Sequence, residues 1–127
     1  MKTIIAGTRD YSDYRGLWLA IQELPWKITE VLSGGCLGVD QLGEIWARSE
    51  QIPCVQFKPD WGKHGKAAGP IRNREMAQNA EALLAIWDSK SKGTRNMIDT
   101  AIDEGLRVQT YSVSSLECSI KFSERAE

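Results

Sequence analysis

A chain of 127 residues is the size of one domain built around one hydrophobic core. Charged residues make up 26% and the formal net charge is −1, which argues against a protein whose main task is coating duplex nucleic acid, because such domains carry a basic excess. Three scattered cysteines and one histidine argue against zinc, and the opening apolar run is far too short for a signal peptide or a membrane span. The expectation is a cytoplasmic protein with no metal, no required cofactor and no membrane partner.

The elements alternate along the chain. "KTIIAG" is a buried-strand pattern closed by Gly7, and "DYRGLWLAIQELP" spaces Leu17, Ile21 and Leu24 as a helix stopped by Pro25. "ITEVLSGG" predicts a second strand, and "VDQLGEIWARSEQ" a second helix with Leu42, Ile45 and Trp46 on one face. "CVQF" predicts a third strand, followed by a long polar loop over 58–69. Pro70 then suits the first position of a helix, "PIRNREMAQNA". "ALLAIW" predicts a fourth strand, "TRNMIDTAIDEG" a helix ended by Gly105, and "RVQTY" a fifth strand. Residues 1–111 form the domain, and 112–127 are a polar tail.

Strand–helix alternation implies parallel strands with right-handed crossovers. The fold class is α/β, a Rossmann-like three-layer sandwich with a parallel sheet of about five strands. Such sheets bind ligands outside the carboxyl ends of their strands, at a topological switch point. That rule brings four polar segments to one rim.

After the first strand, Gly7 permits close backbone approach, Thr8 offers a hydroxyl, and Arg9 a planar cationic fork for phosphate or carboxylate. After the second, Gly34, Gly35 and Gly38 are spaced G-G-x-x-G, neither a dinucleotide fingerprint nor a P-loop, and their N–H groups form a candidate anion nest. Asp40 follows, either accepting from a ribose hydroxyl or complementing the helix dipole. Between 58 and 74, Lys58, Lys63, Lys66, Arg72 and Arg74 face Asp60 alone, a basic excess that fits an anionic ligand. Trp61 either stacks on a base or pins the loop. Gly69, Arg72 and Asn73 open the third long helix. After the fourth strand come Asp88 and then Gly93 and Thr94 at a helix start, with Lys90, Lys92 and Arg95 nearby.

"GTR", "SGG-x-x-G-V-D", "GKAAGPIRNREMA" and "KGT", in that order from Met1 to Tyr111, resemble the SLOG superfamily, which unites the DNA-processing (Smf/DprA) proteins with the LOG nucleotide phosphoribohydrolases. The match is nearer the YspA/YpsA-related branch. The resemblance implies a Rossmann-like domain that binds nucleotides, nucleotide-derived signals or single-stranded DNA. It carries ligand contacts onto Gly7, Thr8, Arg9, Gly34, Gly35, Gly38, Asp40, Arg72, Asn73, Gly93 and Thr94. LOG enzymes follow Gly-Thr with a glutamate that acts on the N-glycosidic bond. Here Arg95 and Asn96 follow Thr94, and the nearest acid is Asp99.

Three functions follow in order. The first is binding of a small phosphorylated nucleotide, of ADP-ribose or NAD-derived type, without turnover. The second is a nucleoside-monophosphate N-glycosidase, with Asp88, Asp99 or Asp40 as the acid. The third is single-stranded DNA binding, disfavoured by the net charge. A homo-oligomer is expected, because five tryptophans exceed what one small core needs.

Overall fold

The computed structural model describes residues 1–113. Five strands form one parallel sheet: β1 (Lys2–Gly7), β2 (Glu30–Ser33), β3 (Cys54–Gln56), β4 (Ala82–Trp87) and β5 (Arg107–Ser112). Their order is β3-β2-β1-β4-β5, so the sheet grows outward from β1 in both directions. The helices are α1 (Tyr14–Gln22), α2 (Val39–Ser49), the single turn α3 (Trp61–His64), α4 (Ala68–Gln78) and α5 (Lys92–Asp103).

Right-handed crossovers put α1 and α2 on one face and α4 and α5 on the other. The alternation of β1 separates the two cores. Ile5 packs with Leu17, Ile21, Val31 and Trp46 under α1 and α2. Ile4 and Ala6 pack with Leu83, Met76 and Met97 under α4 and α5. With both faces covered, β1 and β4 read as continuous apolar runs.

Local chemistry sets the helix ends. Asp13 caps α1 by accepting from the Gly16 N–H at 3.1 Å, and Ser91 caps α5 by accepting from the Thr94 N–H at 3.4 Å. Gly105, at φ +77°, follows α5 in the left-handed conformation.

The structure departs from the sequence reading in three places. The segment 58–69 is not a plain loop: Asp60 caps the single turn α3, a 3₁₀ turn covers Gly65–Ala67, and α4 begins at Ala68, two residues before Pro70. Ile45 is exposed; the buried face of α2 is carried by Val39, Gly43, Trp46 and Ala47. The fifth strand runs one residue past the boundary set at 111, to Ser112, and residues 114–127 of the expected tail lie outside the described residues.

Candidate functional site

Order reverses between β1 and β4, the neighbours whose following chains leave toward opposite faces. The loops after β2 and β4 therefore flank the end of β1, with α4 and α5 closing over it. A cavity of about 290 Å³ opens there, at the lower edge of the range of about 300–1,000 Å³ for small-molecule sites.

Its floor and β2-side wall come from Ala6, Gly7, Cys36, Asp40 and Arg72. Arg72, in the first turns of α4, donates from Nη1 to the carbonyls of Gly34 (2.7 Å) and Phe57 (3.2 Å) and from Nε to Asn73 Oδ1 (3.0 Å). Asn73 in turn donates to Asn96 Oδ1 at 2.9 Å, linking α4 to α5. Among the described residues Nη2 of Arg72 has no partner.

Asp40 lies in the first turn of α2 and is buried. Its Oδ1 accepts from the Gly7 N–H at 3.3 Å and its Oδ2 from the Cys36 N–H at 3.4 Å. Burial lifts its pKa from 3.8 to about 6, against the lowering effects of the Cys36 N–H, the Arg72 charge and the Gly7 N–H. A Cβ placed on Gly34 would stand 2.7 Å from Arg72 Nη1 and 2.9 Å from Asp40 Oδ2, so only glycine lets these two groups share the space above it. Gly38 has a second reason to be glycine: φ is +81°, and a Cβ would strike the Thr8 and Arg9 carbonyls.

The β4-side wall is the start of α5: Ser91, Lys92, Gly93, Thr94, Asn96 and Met97. The Asp88 carboxylate accepts from the Lys90 and Ser91 N–H groups, both at 2.8 Å, and these bonds, the Ser91 one first, hold its pKa below the ordinary carboxylate value. Ser89, at φ +66°, turns the chain within that motif. The N–H groups of Lys92 and Gly93 are left without a partner among the described residues. Paired N–H groups at a helix start, with their partial positive charge, favour an anion.

Trp61 stands at the mouth, 56% exposed, against Gly69 of α4. Arg9 lines the other lip. Three cations, Arg9, Arg72 and Lys92, thus share the cavity with the single acid Asp40.

Nine of the candidate site residues meet here, from four segments: Gly7 and Arg9; Asp40; Trp61, Gly69, Arg72 and Asn73; and Gly93 and Thr94. Others do not line the cavity. The Thr8 hydroxyl accepts the Asp88 N–H at 3.0 Å, tying the ends of β1 and β4 together. Gly34, Gly35 and Gly38 lie in the loop beside the cavity, where the Gly35 N–H goes to Ser33 Oγ, that of Cys36 to Asp40, and that of Val39 to the Thr8 carbonyl. Lys66 is exposed on the 3₁₀ turn. Arg74 points away, ion-paired to Asp103 (2.6 Å) and Glu104 (3.0 Å). Asp88 lies in its turn, and Asp99 is exposed beside Arg95 at 3.8 Å.

Sequence reasoning missed Asn96, Ser91, Met76 and Met97 as wall residues. The Ser91–Thr94 spacing was the one available signal, since a serine three residues before a helical N–H is a capping pattern. Of the tryptophans, Trp46 is buried in the α1/α2 core, Trp26 donates to Thr3 Oγ1 (3.1 Å) under Arg107, and Trp87 donates to the Ser91 carbonyl (3.0 Å). Trp18 and Trp61 are the exposed ones. Among the described residues no cluster of three or more His, Cys, Asp or Glu side chains is placed to hold a metal, and no helix is long and apolar enough to cross a membrane.

The fold is similar to part of DNA processing protein A (DprA) from Streptococcus pneumoniae, with a TM-score of 0.70 at 17% identity over 86% of this chain. This chain spans 49% of that protein, about half its length. The Gene 61 protein of Mycobacterium phage D29 is 32% identical over 120 residues, covering 87% of this chain and 95% of that protein. Residues 1–64, which carry the β1 and β2 loops and Trp61, match the model of the YspA, cpYpsA-related SLOG family. With a matched half that holds the strand-end glycines, Arg9 and Asp40, and a relative aligned over nearly its whole length, the chain belongs to the YspA, cpYpsA-related SLOG family.

Proposed function

We propose that the cavity between the ends of β1 and β4 binds a phosphorylated nucleotide or nucleotide-derived ligand, of ADP-ribose or NAD-derived type, and holds it without turnover. One observation carries the reading: the unpartnered N–H groups of Lys92 and Gly93 open onto the cavity that Arg9, Arg72 and Lys92 also line. An anion gains there from charge, from directed donors and from reduced competition with water. Met76, Met97 and Trp61 supply apolar and aromatic surface for a base. Family membership supports a nucleotide-related or DNA-processing-type role in general terms.

The binding reading ranks above an N-glycosidase because Asp88 and Asp99 stand off the cavity, so that among the described residues it is lined by one acid, Asp40, with no second carboxylate beside it. It ranks above single-stranded DNA binding because Lys66 and Arg74 do not join the three cations of the cavity to form a longer basic track. Calorimetry against the four ribonucleoside 5′-monophosphates, NAD and ADP-ribose tests it: saturable binding by at least one supports it, and no heat at millimolar concentration defeats it. Base release from a monophosphate, followed by chromatography, would move the function to the hydrolase class. A homodimer is part of the proposal, with exposed Trp18 as one candidate contact, and light scattering reads it directly.

A further inference from the structure

Asp40 is the acid of a cavity whose other charged lining residues, Arg9, Arg72 and Lys92, are cations, and electrostatics alone gives an anion-binding site no reason for it. Both of its oxygens are committed once, to N–H groups at the long distances of 3.3 and 3.4 Å. An ionised carboxylate has about four acceptor positions, so roughly half remain open. Each oxygen thus has one partner, and among the described residues no further donor reaches Asp40, which leaves its remaining acceptor positions to a ligand. Arg72 stabilises its charge from beside Gly34 without a direct bond.

The placement of the charges divides the cavity. Asp40 belongs to the β2 side and the free N–H groups of Lys92 and Gly93 to the β4 side, with β1 between them. Within the sheet β2 and β4 lie two strand spacings, about 10 Å, apart. Arg72 shares the Asp40 wall, but its Nη1 and Nε are committed to Gly34, Phe57 and Asn73, so a phosphate set directly against the Asp40 oxygens meets like charge, whereas a hydroxyl donor is held. A phosphate at the start of α5 therefore leaves the sugar of the same molecule toward Asp40.

We propose that Asp40 accepts hydrogen bonds from the ribose hydroxyls of the ligand, so that the site takes ribonucleotides and rejects their 2′-deoxy counterparts, DNA included. This rests on the nucleotide-binding reading and narrows it to a sugar class. Asp40 here is a binding residue whose remaining lone pairs accept from a donor that the ligand brings. A site built around a buried polar group discriminates strongly against an analogue that leaves that group unpaired.

The test is a calorimetric comparison at pH 7.5 of each ribonucleoside 5′-monophosphate with its own 2′-deoxy and 2′-fluoro-2′-deoxy counterparts, so that the base cancels. The 2′-fluoro sugar keeps a similar bulk and cannot donate. At least tenfold weaker binding of both analogues is expected, and Asp40→Asn should reduce the difference to below threefold. If Asp40→Asn does not fold, the ratios on the unaltered protein decide. Ribo and deoxy forms binding within threefold of each other would overturn the sugar assignment and leave nucleotide binding standing. A 2′-fluoro analogue as tight as the ribonucleotide would overturn donation to Asp40. Absence of binding by every ribonucleotide would overturn both this inference and the functional reading beneath it.

Discussion

Arg72 and Gly34 are joined across the molecule: Nη1 of an α4 side chain donates to the carbonyl of the loop after β2 at 2.7 Å. The bond fixes the guanidinium on the cavity floor and holds the loop that presents Asp40. Arg72→Lys keeps the charge but loses the planar fork, which cannot then serve Gly34, Phe57 and Asn73 together. A stability loss of about 1–3 kcal/mol in urea unfolding is expected, with at least tenfold weaker nucleotide binding. Gly34→Ala should weaken binding with both charges intact, because the added methyl falls between Arg72 and Asp40. Wild-type affinity in both variants would remove Arg72 from the site.

Asp40 makes a pH signature. Its pKa is raised by burial from 3.8 to about 6, so between those values the folded protein holds a proton that the unfolded chain has released. Stability contributed by this group is therefore full below about pH 4 and is lost as pH rises through 6. The loss is at most about 3 kcal/mol. Urea unfolding of wild type and Asp40→Asn at pH 4 and pH 7 isolates it: the wild type should lose ground against the variant on going to pH 7. An unchanged or reversed difference contradicts a buried carboxylate at this position.

Two basic residues provide a matched pair. Lys92 lines the cavity, whereas Arg74 is paired with Asp103 and Glu104 on the far side of α4. Lys92→Ala should weaken phosphate-dependent binding about five- to tenfold and flatten its salt dependence. Arg74→Ala should leave affinity within twofold, and since the pair is exposed it should change stability by under about 1 kcal/mol. Equal effects in the two variants would mean that general surface charge attracts the ligand.

Trp61 is exposed at the cavity mouth, next to Gly69. If a base stacks there, ligand addition quenches part of the tryptophan fluorescence, and Trp61→Ala abolishes that part of the change. Affinity should fall by about five- to a hundredfold, the range for losing one base–aromatic stack. Unaltered quenching in the variant would assign Trp61 to holding the 61–69 segment instead.

Much of this architecture was readable from residue order. The strands β1 and β4 are buried on both faces, so their apolar runs stand out without neighbours being known. Glycines and polar residues at the strand ends marked the rim because an α/β sheet concentrates them there. Ile45 was misread because a periodicity argument favours bulk, while α2 approaches the sheet through Gly43, whose added Cβ would lie 2.7 Å from the Ile5 side chain. The turn α3 is too short for any period to register; only Asp60 as its cap could have announced it. In the loop after β2 the structure gives the N–H groups of Gly35, Cys36 and Val39 to Ser33, Asp40 and Thr8. The Val39–Thr8 bond, like that of Asn73 with Asn96, joins segments far apart in the chain and leaves no local trace.

The most direct test of anion binding at this switch point is a ¹⁵N–¹H correlation titration with ADP-ribose and the four ribonucleoside 5′-monophosphates. Saturable shifts concentrated on the amides of Gly7, Cys36, Lys92, Gly93 and Thr94, with the Arg72 side chain, are expected. Shifts confined to other surfaces, such as the Glu44–Cys54 groove beside β3, or none at millimolar ligand, would contradict it.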